Sequence, residues 1–159
     1  MDKLNSLRAA VTAVLPELEK NPDKLRLWIE RGAAKCRGTA TEAFGFEFQA
    51  SVLVVEMTTD IAVLMLAVFR WCRVNQPDLL APQSPGVTFD AEILDNGSAD
   101  VLLQIPLTQN ATVLNGGTAI SWLAEPDPLF DDGLGLGDAD PVPPFAGLDV
   151  ADDAPPWDD

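Results

Sequence analysis

The stretch "FGFEFQASVLVVEM", Phe44–Met57, alternates residue by residue. Phe44, Phe46, Phe48, Val52 and Val54 recur at period two, the spacing of a strand that sends successive side chains to opposite faces. Just upstream, "KLRLWIER" (Lys24–Arg31) repeats the pattern. Leu25, Leu27 and Ile29 share one face and Arg26, Trp28 and Glu30 the other, which predicts a half-buried partner strand. Between the two, "AAKCRGTATEA" reads as a loop or a long hairpin tip. A strand pair with one apolar face needs a second layer to cover it.

That layer is legible on either side. Leu4, Leu7, Val11, Val14 and Leu18 recur at helical spacing, giving an amphipathic N-terminal helix that Pro16 kinks or interrupts. "NPD" (Asn21–Asp23) is a turn. After the long strand, Asp60 is placed to cap a helix over Ile61–Asn75 that Pro77 ends. Next come "GVTFDAEIL", the turn "DNGS", "ADVLLQIPL" and a short pair of strands around "NGG" (Asn115–Gly117), whose Asn-Gly turns signal antiparallel hairpins. The expected fold is α+β: an antiparallel sheet with two helices packed on it, in the order α-β-β-α-β-β-β-β, followed by an irregular acidic C-terminal arm.

The 61–75 helix is too apolar for an ordinary surface helix, which buries one stripe and wets the other. Ile61, Leu64, Met65, Val68, Trp71 and Cys72 can face the sheet, yet Ala62, Val63, Leu66 and Phe69 occupy the opposite side. Either the N-terminal helix covers that side, or a neighbouring subunit does. Val63, Leu66, Phe69, Arg70 and Arg73 are therefore the candidate oligomer interface. Arg70 and Arg73 lie on one helical edge near the C-terminus. They read either as a solvated edge or as a cationic contact to an acidic neighbour, the chain's own tail included. Trp71 and Cys72 read as packing rather than chemistry.

Composition bounds the function. The chain has 159 residues, 47% of them apolar, which suits one domain with a core. It contains no His and no Tyr, so the commonest general base and transition-metal ligand are missing. No phosphate-cradling glycine motif opens a helix; "GLGLGD" (Gly133–Asp138) is set among acids. Cys36 and Cys72 are expected as two reduced, packed thiols. No catalytic residue, metal or cofactor is assigned, and the expectation is a protein that is not an enzyme. The longest apolar run, Ile61–Phe69, is too short for a bilayer, and "MDKLNSLRAA" lacks a signal peptide's apolar block, which predicts no membrane and assembly in the cytoplasm.

Charge divides the chain. Residues 1–124 hold all ten Lys and Arg and fourteen acids, and residues 125–159 hold eleven acids and no base. Bulk binding of nucleic-acid phosphates is disfavoured. Seven of thirteen prolines lie in the acidic segment, so a domain over 1–124 and an arm over 125–159 are expected. Phe130, Phe145 and Trp157 punctuate that arm as candidate anchors for a partner groove, against the alternative of a dispensable tail. Asp131, Asp132, Asp138 and Asp140 match no EF-hand spacing and read as solvated.

Several pieces in this order resemble one family: "LRAAVTAVLPELEKNPDKLRLWIERG", "FGFEFQASVLVVEMTTD", "FRWCRVNQPDLL", "GVTFDAEILDNGSADVLLQIPLTQ" and "WLAEPDP". From about Leu7 to Pro128 the chain resembles the tail completion protein R (GpR) family of peduovirus-type contractile-tailed phages. The resemblance implies a structural protein of the virion tail with no catalytic residues to transfer. It implies a tail terminator: a ring, hexameric in this reading, that caps the head-proximal end of the tail. Its partners would be itself and the tail tube, sheath and neck proteins, with no nucleic-acid contact beyond proximity to the passing genome. Two alternatives stand beside it: a neck adaptor contacting the connector and, more distantly, a non-viral protein-binding module.

Overall fold

The computed structural model describes residues 1–36 and 42–124. The order is α1 (Asp2–Val14), α2 (Glu17–Lys20), β1 (Leu25–Cys36), β2 (Phe44–Met57), α3 (Ile61–Asn75), β3 (Thr88–Ile93), β4 (Ala99–Leu114) and β5 (Ala119–Trp122), with short 3-10 turns at Pro22–Lys24, Pro77–Leu80 and Asn115–Gly117. All five strands join one sheet, β1-β2-β4-β3, with β5 also paired to β4, and every pairing is antiparallel. The α+β class, the antiparallel sheet and the packed helices are as the sequence predicts.

Period two fixes which face is buried. Phe48, Ala50, Val52 and Val54 of β2 pair with Leu107, Ile105, Leu103 and Val101 of β4, and all eight are buried. Leu7 and Val11 of α1 and Leu64, Val68, Trp71 and Cys72 of α3 belong to the same core, so both helices cover this one face. Slipping either strand by one residue would turn its whole apolar set outward, so burial pins the register. Pro16 separates α1 from α2, and Leu15 and Leu18 are buried on either side of it.

Two strands run further than their side chains advertise. β1 continues through Gly32, Ala33 and Ala34 to Cys36, opposite Phe48 to Phe44, where a loop was expected. Backbone pairing along the longer β2 carries it, after a bulge between Ile29 and Arg31. β4 continues through Pro106, so the first strand of the expected short pair is the far end of β4 and the sheet has five strands. A proline removes a ladder donor, which matters only on a paired side. The Thr108 N–H, two residues on and aimed at the same edge, leaves the sheet for Gln76 Oε1 at 3.1 Å. The Pro106 nitrogen therefore faces a gap, because β3 pairs with β4 only as far as Gln104, opposite Thr88.

The turn between β3 and β4 is the expected Asn-Gly hairpin. Gly97 adopts φ of +79°, Leu94 N donates to Ser98 O at 2.8 Å, and Asn96 Oδ1 accepts from Ser98 N at 3.0 Å.

Candidate functional site

The candidate surface is the outer side of α3. Asp60 starts the helix, its Oδ1 accepting from Ala62 N at 2.7 Å. Leu64, Ala67, Val68, Trp71 and Cys72 turn inward and are buried. Indole Nε1 of Trp71 donates to Ser6 Oγ of α1 at 2.9 Å, which sets the two helices side by side. Val63, Leu66 and Phe69 then stand 40%, 49% and 40% exposed, joined by Val74. Helix α1 lies beside this stripe and leaves it open. Of the two coverings the sequence allowed, the N-terminal helix does not supply one. Arg70 and Arg73 are also exposed, so all five residues singled out on this helix are on the surface.

Between the helices lies a groove of about 460 Å³, walled by Ala10 and Val14 of α1 and by Val63, Leu66, Arg70 and Val74 of α3. Its lining is mostly aliphatic, with Trp71 and Asn75 also present and the Arg70 guanidinium as its one charged group among the described residues. A groove of this chemistry takes an apolar side chain, and the arginine can meet a carboxylate beside it.

A larger concavity of about 820 Å³ lies between the sheet and the segment following α3, at Gly32, Phe48, Leu79, Pro85 and Leu107. Its two hydroxyls are engaged: Ser84 Oγ accepts from Gly86 N at 3.0 Å and Thr108 Oγ1 from Gln76 Nε2 at 3.0 Å. Gln76 is 2% exposed, and its amide is fully used. Oε1 accepts from Lys3 Nζ at 2.8 Å and from Thr108 N, while Nε2 donates to Thr108 Oγ1 and to Asp78 Oδ1 at 2.6 Å. This junction ties α1, the end of α3 and the open edge of β4 together. Pro77 marks the helix end in the sequence, but nothing local marks this junction, because the partners of Gln76 are 73 and 32 residues away.

Neither cysteine forms a disulfide. Cys72 is buried in the core, and burial first, then the nearby Asp78 charge, pushes its thiol up to about 11, with Lys3 pulling weakly the other way. A thiol so placed stays protonated and unreactive. Cys36 departs from the expected packed thiol: it is exposed at the end of β1, its Sγ 3.7 Å from Ala43 O. Among the described residues no group of three or more His, Cys, Asp and Glu is arranged to hold a metal, and no helix is long and apolar enough to cross a membrane. Phe130, Phe145 and Trp157 lie outside the described residues.

The family model described as P2 phage tail completion protein R (GpR) matches residues 1–126. Tail completion protein R of Escherichia phage P2 is 32% identical over 133 residues, covering 80% of this chain and 86% of that relative. No solved structure matches. The match spans the whole described sheet and both long helices, and so takes in the α3 stripe and the Gln76 junction. The chain belongs to the P2 phage tail completion protein R (GpR) family.

Proposed function

We propose that this tail completion protein is the tail terminator: a ring-forming subunit, six to a ring, that caps the head-proximal end of a contractile tail and prepares it for head joining. The observation that carries the reading is the α3 stripe. Three large apolar side chains on one rigid helix, 40% or more exposed and flanked by Arg70 and Arg73, make a surface that a folded chain leaves for a partner. In this reading Val63, Leu66, Phe69, Arg70 and Arg73 pack against a neighbouring subunit. Residues 1–124 are the ring-forming domain, and residues 125–159 are an arm that reaches an adjoining tube, sheath or neck protein.

Electron microscopy of particles made without the protein tests this. Tails that overrun their normal length or end without a cap are expected. Tails of normal length that fail only to join heads would instead make the protein a neck adaptor.

A further inference from the structure

We propose that successive copies of this chain associate head to tail by pairing β3 of one copy with β1 of the next, so that one antiparallel sheet continues through the assembly. The two strands at opposite ends of the four-strand row β1-β2-β4-β3 each pair on one side alone. All six residues of β3 are exposed, and β1 is exposed along most of its length. An unpaired edge of this kind is a template for another strand.

Charge selects the partner. The faces follow from the register: Arg26 lies opposite Leu53, and Asp90 and Glu92 opposite Leu102 and Asp100, all on the face away from the helices. The β1 edge thus offers Arg26 and Arg31, its one acid, Glu30, being turned across the sheet to accept from Ser51 Oγ at 2.9 Å and Gln104 Nε2 at 3.3 Å. The β3 edge offers Asp90 and Glu92; none of these two arginines and two β3 acids is in an ion pair among the described residues. Lys35, further along β1, already pairs with Glu47 at 2.7 Å. Pairing β3 with β3 about Ala91 would set Asp90 against Glu92, and pairing β1 with β1 would bring together two strands of net positive charge, both unfavourable. Charges of one sign on both edges would only repel strands. Opposite signs reject the like edge and accept the unlike one.

The helix-side face matches as well. Phe89 and Ile93 are 53% and 83% exposed although they pair with the core positions Leu103 and Ala99. Across the sheet, Leu27 and Ile29 occupy that face of β1, and Ile29 is 37% exposed. The regular stretch of β1 before its bulge, Leu25 to Ile29, is five residues against the six of β3. Leu25 already has its N–H on Pro22 O and its carbonyl on Arg8 Nη1, which leaves Leu27 and Ile29 to pair. Pairing like face with like face sets Ile29 opposite Phe89, Leu27 opposite Ala91 and Arg26 opposite Glu92. Direction agrees too. Four alternating strands leave β3 running opposite to β1, so a copy rotated about an axis along the strands presents its β1 antiparallel to β3. The contact is heterologous, the kind that closes into rings. Phe89 and Ile93 share the face that carries α3.

The proposal deepens the ring reading, and its test is made in solution, apart from any tail phenotype. Full-length chains carrying Arg26→Glu with Arg31→Glu, or Asp90→Arg with Glu92→Arg, are compared by light scattering at low salt with the chain carrying all four changes. Each two-site variant should stay folded by circular dichroism and associate about tenfold or more weakly. The four-site variant should regain association. Direction is read by cross-linking in a Cys36→Ser background. Ile29→Cys mixed with Phe89→Cys should give a covalent dimer on oxidation, and neither alone should. Two-site variants that associate like the parent, a four-site variant that does not recover, cross-linking by either single variant alone, or no cross-link in the mixture would each overturn the proposal.

Discussion

Lys3 near the N-terminus and Gln76 at the end of α3 meet at 2.8 Å inside the protein, Nζ donating to Oε1, with both side chains buried. The same Oε1 takes the Thr108 N–H, filling the one stretch of the β4 edge that neither β3 nor β5 pairs. Gln76→Leu keeps the volume but leaves the Thr108 amide without its acceptor and takes one partner from Lys3. An orphaned buried donor beside a charged group costs about 3 kcal/mol. Urea unfolding should show a midpoint lowered accordingly; an unchanged midpoint would mean that water replaces the amide without loss.

Glu17 gives the fold a pH dependence. Burial pushes its carboxyl up, but hydrogen bonds at its own backbone and from the Thr59 and Thr58 amides and the Thr59 hydroxyl outweigh it, and the net shift is downward. A carboxylate with a depressed folded pKa stabilises above its unfolded pKa, and that contribution is lost as pH falls through the folded value. Glu17→Gln should therefore cost roughly 1 kcal/mol at neutral pH, discounted for solvent screening, and little in strong acid. Thermal melts of both chains at pH 7 and pH 3 check this; equal differences at the two pH values would contradict it.

Legibility followed burial. The core faces of β1 and β2 could be read because one-sided burial imposes period two, and α3 because Asp60 and Pro77 bracket it. The Ala33–Cys36 end of β1 could not, since backbone pairing rather than apolar side chains holds it there. Nor could the run of β4 through Pro106, which depends on the β3 pairing reaching no further than Gln104. The α3 stripe was visible as an excess of apolar residues, although Val74 was overlooked. The edges at Phe89 and Ile93 were hidden, because an alternating strand looks the same whether or not its apolar face is covered.

The two thiols should separate cleanly in reactivity. An aromatic disulfide reagent at pH 8 should modify Cys36 alone in the native protein, with Cys72 reacting only after denaturant is added. Rapid modification of both would show that the core around Trp71 opens readily.

Phe69→Asp tests the helix stripe. Phe69 is 40% exposed, so a carboxylate there remains solvated in a single copy and the chain should stay folded. Buried against a second subunit the same charge costs several kcal/mol, enough to break most interfaces. A folded monomer is expected by circular dichroism and light scattering. An oligomer of the parent's size would remove this stripe from the interface, and outright unfolding would make it core.

The acidic segment is the part of the chain that differs most from the domain before it. Eleven acids and no base over residues 125–159 give it a charge that only a basic partner or open solvent tolerates. A segment serving solubility alone needs no large apolar groups, yet this one places Phe130, Phe145 and Trp157 along a proline-stiffened stretch. Such spacing suits anchors in a groove, with the acids speeding encounter and making it salt-sensitive. Truncation after Pro128 keeps every residue matched by the family model, which ends at residue 126, so the shortened chain should fold. Thermal unfolding compares the two chains, and particle yield in a complementation assay reads the function. A folded truncation that no longer supports assembly makes the arm a binding element, and Trp157→Ala alone should then reduce yield in the full chain. Infectious particles in normal yield from the truncated chain would end the arm hypothesis.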